Sequence, residues 1–160
     1  MTTAPRAPLM SLDEALKTLL AQISPLVDVE SVATLDADGR ILAQDLVSAL
    51  QVPAFDNSSM DGYAVRTADT QTPGSALKIA QRIPAGSMGA QLEQGTAARI
   101  FTGAPVPPGA DAVVMQEDCS VDDGLADQVQ VNIAPTVGQW IRRRGEDLTA
   151  GKIALTAGTY

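Results

Sequence analysis

Frequent glycine and proline residues exclude long helices from most of this chain. Thirteen glycines and ten prolines occur among its 160 residues, and both residue types are typical of turns. From residue 77 onward they separate short apolar segments at intervals of roughly 10 to 15 residues, which predicts a small antiparallel barrel or sandwich. The predicted strands are 77–83, 97–101, 112–116, 128–133 and 139–142.

One helix is predicted near the N-terminus. Ser11 and Glu14 form a capping-box pattern, in which the serine hydroxyl accepts from the Glu14 amide and the glutamate reaches back. Apolar residues then recur with helical spacing at Leu12, Ala15, Leu16, Leu19, Leu20 and Ile23. We expect a structural helix that ends at Pro25, a loose tail over residues 1–8, and a turn at 36–39.

Charge and residue types exclude several classes of function. The net charge of −8 argues against nucleic acid or an anionic membrane as the partner, because phosphate binding requires clustered basic residues. No apolar segment approaches the ~20 residues of a membrane span. A single cysteine, Cys119, permits no internal disulfide, and we expect a cytoplasmic protein. Because the sequence has no histidine, any metal would take oxygen ligands, and Mg²⁺ is expected.

Five acidic residues surround Gly124 in a way that superficially suggests a calcium loop. They are Glu117, Asp118, Asp122, Asp123 and Asp127. The ligand spacing of an EF-hand and its final bidentate glutamate are both missing. We therefore expect a solvated hairpin tip.

Residues 53–66 contain an unusual density of hydrogen-bonding groups. The polar members are Asp56, Asn57, Ser58, Ser59 and Asp61. Apolar residues expected to anchor the loop in a core are Phe55, Met60, Tyr63 and Val65. Two carboxylates this close can share a metal or act as a base. The same residue types also form ordinary turns, so both interpretations remain open.

A second candidate segment begins where a strand ends at Thr102. Pro105, Pro107 and Pro108 follow it and donate no amide hydrogen, so the loop is a poor phosphate cradle. A stiff loop can still hold the Thr102 hydroxyl in a fixed place. A plain turn is the alternative.

Three consecutive arginines form a third candidate segment. Arg142, Arg143 and Arg144 precede Glu146 and Asp147 in an otherwise acidic chain. Guanidinium groups suit oxyanions such as phosphate or molybdate. The alternative is a solvated strand whose charges pair internally.

Together these segments resemble the molybdopterin molybdenumtransferase family, which includes bacterial MoeA and the E domain of gephyrin. The matching segments are 9–15, 52–66, 99–107, 113–117 and 141–147. The resemblance covers nearly all of the chain and implies the first two domains of a four-domain subunit. A small α+β domain would comprise residues 1–49 plus 143–160, and a β-rich, barrel-like domain over 50–142 would be inserted into it. The expected fold class is mixed and mainly β.

The resemblance also implies an enzymatic activity. Family members insert molybdate into adenylylated molybdopterin and release AMP, in a reaction that needs a divalent cation, usually Mg²⁺. The family enzyme is a homodimer whose cleft lies between the second domain of one subunit and the third and fourth domains of its mate. This chain is therefore expected to carry half of a composite site for small-molecule substrates and to be inactive alone.

The family's functional residues match particular positions here. Asp61 and Thr102 match a functional aspartate and threonine, and both are expected to be catalytic. The resemblance and the chemistry of the loop suggest that Asp61 holds the divalent cation or its bound water. The expected substrate-binding residues are Ser58, Arg142, Arg143, Arg144 and Asp147.

Two other functions stay open. A β-rich domain with exposed edges can bind a peptide or a mate subunit, so the main alternative is a non-catalytic interaction or dimerisation module. A carbohydrate-cleaving site built on Asp56 and Asp61 is less favoured, because aromatic side chains that stack on sugars are scarce. Binding of molybdate and Mg²⁺, compared with binding of peptides or glycans, distinguishes the three.

Overall fold

The computed structural model describes residues 10–24, 28–121 and 127–160, whose regular secondary structure consists mainly of short strands. The helical elements are α1 (Leu12–Leu20) and three 3₁₀ turns, Thr34–Asp36, Thr67–Asp69 and Gln116–Asp118. The strands are β1 (Leu46–Val47), β2 (Asn57–Ser58), β3 (Gly62–Val65), β4 (Ser75–Ile83), β5 (Thr96–Ile100), β6 (Ala112–Met115), β7 (Cys119–Ser120), β8 (Gln128–Val131), β9 (Ile141–Arg142) and β10 (Ile153–Leu155). The predicted tail over 1–8, the predicted helix end at Pro25 and the acidic hairpin tip at 122–124 lie outside the described residues.

A six-stranded sheet forms the centre of the fold, in the order β6-β3-β5-β4-β8-β7. Its two edge strands, β6 and β7, are consecutive in the chain and are joined by the Gln116–Asp118 turn alone. So short a connection brings the two edges together, and the sheet is nearly closed into a barrel. The predicted fold class, mixed and mainly β with a barrel-like part, is confirmed.

One part of the barrel prediction was wrong, because β4 and β5 run parallel. The other strand pairs of this sheet are antiparallel. Residues 84–95 carry the chain back so that β5 starts at the same end as β4. A spacing of turn residues indicates where strands end, but it does not reveal the direction in which the next strand returns.

The core occupies both faces of this sheet, and all four residues of β3 are buried. The inner face is formed by Tyr63, Val65, Leu77, Ala97, Ala112, Val114, Val129 and Val131. The other buried cluster is formed by Ala64, Ile83, Leu92, Ala98, Ile100, Ala104 and Val113. Phe55, expected as an anchor, is instead 52% exposed, so the loop before β3 is anchored by Tyr63 and Val65.

The helix α1 begins as predicted and ends earlier than expected. The Glu14 amide donates to the Ser11 hydroxyl at 3.3 Å and completes the capping box. The helix closes after Leu20 with tight turns, since Ile23 N–H bonds to the Leu20 carbonyl. Its apolar residues are exposed, Leu12 by 75% for example. The described part of the chain contains no helix that could span a lipid bilayer.

Two small antiparallel pairs lie outside the six-stranded sheet. The first joins β1 to β10 and brings residues 46–47 beside 153–155. The second joins β2 to β9. The strand predicted over 139–142 is shortened to Ile141–Arg142, because Gln139 N–H closes a turn on Thr136 and Trp140 has a φ of 53°. The division into domains at residues 49 and 142 stays a prediction.

We predict that Gly62→Ala destabilises the fold strongly. A Cβ at this position would lie 1.9 Å from the Val114 carbonyl oxygen on β6, so β3 and β6 would have to separate. Overpacking of this kind costs about 3 kcal/mol of unfolding free energy. Gly95→Ala is the control, since it meets open space and strains only its left-handed backbone, by about 1 kcal/mol. Equal losses for the two variants in urea denaturation would contradict the prediction.

The Cys119 thiol is expected to be unreactive. Burial, reinforced by the Asp118 charge, raises its pKa to about 12. Only the thiolate form attacks. Because of the raised pKa, the fraction of Cys119 present as thiolate at pH 8 is about a thousandfold below that of an ordinary cysteine. Alkylation by iodoacetamide should be slow in the native protein and fast in urea. Rapid alkylation of the folded protein would show that the thiol is not shielded.

Candidate functional site

Asp61 and Thr102 lie at the same end of the barrel. Asp61 immediately precedes β3 and Thr102 follows β5 by two residues, and the antiparallel register pairs Gly62 with Ile100. The Thr102 amide and hydroxyl both donate to Asp61 Oδ1, at 2.8 and 2.7 Å. Both side chains are open to solvent. The two residues expected to be catalytic are therefore in direct contact.

The Asp61 carboxylate is held in its charged form. The hydrogen bond from the Thr102 backbone amide, followed by that from its hydroxyl, lowers the pKa of Asp61. Both bonds use Oδ1, and Oδ2 accepts no hydrogen bond from the described residues. One carboxylate oxygen thus remains available to a hard cation.

The short strand β2 joins the three candidate segments. On one edge, Ser58 N–H bonds to the Ala104 carbonyl and Gly103 N–H bonds to the Ser58 carbonyl, both at 2.9 Å. On the other edge, Ser58 pairs with Ile141 of β9. The loop after Thr102 and the arginine segment therefore flank a common two-residue strand.

The Ser58 side chain itself faces inward. Ser58 is only 2% exposed, and its hydroxyl donates to the Met60 carbonyl at 2.6 Å. This bond closes the turn that leads to Asp61. The hydroxyl thus shapes the loop, and the substrate-binding role predicted for Ser58 stays a prediction.

The three arginines differ in their partners. Arg142 forms an ion pair with Asp147, and Arg143 pairs with Asp56 at 2.7 Å. Asp56 also accepts the Arg144 amide at 2.8 Å, and this bond is the main reason for its lowered pKa. The Arg144 side chain makes no hydrogen bond or ion pair to the described residues. The internal pairing considered from the sequence therefore applies to Arg142 and Arg143.

Asp56 and Asp61 bind different partners. Both oxygens of Asp56 accept from the arginine turn, whereas Asp61 is bound to Thr102. Among residues 10–24, 28–121 and 127–160, no cluster of three or more metal-ligating side chains is present. A cation at Asp61 would need further oxygen ligands from substrate or water, which is how proteins commonly bind Mg²⁺.

Sequence reasoning missed two arginines at this end of the barrel. The Arg99 guanidinium lies 5.1 Å from the Tyr63 ring centroid and 4.8 Å from that of Phe101, and Arg82 lies 4.5 Å from Phe101. Arg99 also donates to the Gly62 carbonyl at 3.1 Å. Because side chains alternate along a strand, the sequence of this segment indicates that Arg99 and Phe101 lie on the same face of the sheet. Arg82 comes close to Phe101 only because β4 and β5 pair in parallel, which the sequence did not reveal.

Comparison with known proteins decides the family. A sequence model described as the MoeA N-terminal region, domains I and II, matches residues 10–160. The chain belongs to this family. The resemblance inferred from the sequence motifs is thereby confirmed.

The relatives that this chain matches are much longer than the region they share with it. A Mycobacterium tuberculosis protein named molybdopterin molybdenumtransferase 2 is 47% identical over 127 residues, which are 76% of this chain and 31% of that protein. The molybdopterin molybdenumtransferase of Haemophilus influenzae is 38% identical over 152 residues, 94% of this chain and 37% of that protein. The chain thus spans about a third of these relatives.

A solved structure shares the fold. The molybdopterin biosynthesis MoeA protein of Pyrococcus horikoshii superposes with a TM-score of 0.78 at 35% identity, covering 94% of this chain and 40% of that chain. A score and identity of this size indicate the same arrangement of strands in both proteins.

We predict that the pKa of the Asp61 carboxyl lies below that of an ordinary aspartate. The pKa of Asp61 is lower in the folded protein than in the unfolded chain. The carboxylate therefore stabilises the fold at pH values above its unfolded-state pKa, and this stabilisation is lost as the pH falls through its folded-state pKa. NMR should detect the carboxyl titration and, over the same range, faster exchange of the Thr102 amide. Thr102→Val keeps the amide and removes the hydroxyl, so the pKa should recover only in part. Titration of wild-type Asp61 at or above the ordinary value would contradict this.

Proposed function

We propose that this chain is the N-terminal portion of a molybdopterin molybdenumtransferase that acts in molybdenum cofactor biosynthesis. The parent enzyme would insert molybdate into adenylylated molybdopterin and release AMP. The observation that carries the proposal is the direct contact of Asp61 with Thr102 at an open barrel end, on a chain whose relatives bear that enzyme name.

Thr102 is proposed to bind an oxyanion through its hydroxyl. In the structure this hydroxyl donates to Asp61 Oδ1, but the Thr102 amide holds the same oxygen independently. The hydroxyl can therefore rotate toward a bound anion while the amide keeps the Asp61 carboxylate in place. A hydroxyl rotates readily and carries both a donor and acceptors.

Asp61 is proposed to hold Mg²⁺ through Oδ2, with the remaining ligands supplied by substrate phosphate and water. Bound there, the cation would neutralise charge on the phosphate of the adenylylated substrate. Transfer of an oxyanion with loss of AMP requires positioning and charge stabilisation more than proton transfer. A chain without histidine suits such a reaction.

The acidity of the chain opposes binding of anionic substrates at long range. Its net charge is −8, but salt screens charges beyond roughly 8 Å at physiological ionic strength. At short range, Arg144 offers a guanidinium that no described carboxylate neutralises. We propose that Arg144, with Arg142, Arg143 and Asp147 arranged beside it, offsets substrate charge locally.

The remaining domains of the family enzyme are proposed to complete the site. Because the chain spans about a third of its relatives, we propose that it does not turn over alone. We also propose, from the family resemblance, that the parent is a homodimer, and from the single cysteine that it is cytoplasmic. A dimerisation or interaction module is the second candidate, favoured by exposed apolar side chains such as Leu12, Leu19 and Ile153. In that case, removal of the Asp61 carboxylate would leave the parent's activity intact.

Asp61→Asn is expected to reduce molybdate insertion at least 100-fold in an enzyme of full family length that carries this segment. The substitution removes the charge that binds the cation, and loss of one electrostatic group in an active site typically costs 10²–10³ in rate. Asp36→Asn, an exposed aspartate in the Thr34–Asp36 turn, serves as the control and should retain activity. Insertion by the Asp61 variant at nearly the wild-type rate would overturn the proposed role.

A further inference from the structure

We propose that Arg82 and Arg99 form an oxyanion subsite beside Asp61 and Thr102, suited to a tetrahedral anion such as molybdate or a phosphate group. The inference rests on the proposed function and names a contact that the family resemblance did not supply. Three observations support it: the shared face of the two arginines, their unused donors, and their lack of a described carboxylate partner.

The strand register places both guanidinium groups on the same face of the sheet. Arg82 pairs with Arg99 across the parallel β4–β5 ladder, and Ile83 pairs with Ile100. Both groups stack on Phe101, at 4.5 and 4.8 Å from its centroid. Arg99 also bonds to the carbonyl of Gly62, the residue after Asp61, and Phe101, on which both guanidinium groups stack, directly precedes Thr102 in the chain.

The arginines retain donors for a ligand. Arg99 uses one N–H on the Gly62 carbonyl and one on Gln116 Oε1, at 3.1 and 2.6 Å, whereas a guanidinium carries five. The Arg82 side chain donates no hydrogen bond to the described residues and is exposed. Stacking on an aromatic ring fixes the plane of a guanidinium and leaves the N–H groups at its edge free for an oxyanion.

Two like charges stacked on one aromatic ring require compensation. Other arginines of this acidic chain lie within 4 Å of a carboxylate, and these are Arg40, Arg66, Arg142 and Arg143. Arg82 and Arg99, like Arg144, form no such pair with the described residues. An anion bound by both arginines would supply the missing negative charge, and two planar forks match the several oxygens of a tetrahedral anion.

Binding to this 160-residue chain tests the inference directly. We would titrate molybdate, inorganic phosphate and AMP separately at constant ionic strength, using calorimetry and amide NMR. Arg82→Gln is expected to weaken binding at least tenfold and to abolish shifts of the Gly62 and Thr102 amides. Arg40→Gln removes the same charge from a pair with Glu30 and should change binding less than twofold. Preference for molybdate over phosphate and AMP would identify the metal oxyanion as the occupant, and the reverse order would identify a nucleotide phosphate.

Three results would overturn the inference. They are the absence of wild-type binding at millimolar anion, equal weakening by Arg82→Gln and Arg40→Gln, and full affinity in Arg82→Gln. Arg82→Lys guards against a folding defect, since it keeps the charge and loses the planar fork, and its affinity should be intermediate. Because binding requires no turnover, loss of binding in Arg82→Gln supports the subsite even if Asp61→Asn leaves molybdate insertion unchanged. That combination would discard the proposed function alone.

Discussion

The pairing of β3 along both of its edges is the constraint on which the rest of the structure depends. Gly62 allows the close approach, because any Cβ there would collide with the Val114 carbonyl. The same residue starts the strand that positions Asp61, and its carbonyl accepts the Arg99 guanidinium. Close packing at one glycine thus determines the spacing of the barrel wall and the position of a carboxylate, so the fold and the candidate site share one requirement.

Features encoded by near neighbours were predictable from the sequence. The capping box needs only Ser11 and Glu14, three residues apart, and the structure contains it. Strands 77–83 and 112–116 were found within a few residues, because glycine and proline mark their ends. The parallel β4–β5 pair was missed, since strand direction depends on tertiary closure. Phe55 was placed wrongly because an apolar residue in a loop carries no information on which face it will occupy.

The sequence supplied candidate residues for the site, but it did not predict the contacts among them. Asp61 and Thr102 are 41 residues apart, so no local pattern relates them, and their association came from the family motifs. The ion-pair partners of the arginines could not be predicted either, because Arg143 pairs with Asp56, which lies 87 residues earlier in the chain. Arg82 and Arg99 were overlooked for the same reason: isolated basic residues acquire meaning only when two strands place them side by side.

The two-residue strand β2 has a consequence for how this protein folds. It binds the segment after Thr102 on one edge and β9 on the other, and each of these partners is distant in the sequence. Closing such loops costs entropy before any bond compensates for it, and chains rich in distant pairings fold slowly. The three candidate segments are therefore brought together through β2 only when the chain between residues 57 and 142 is in place. During synthesis, both edges of β2 can be filled only after residue 142 has been added to the chain.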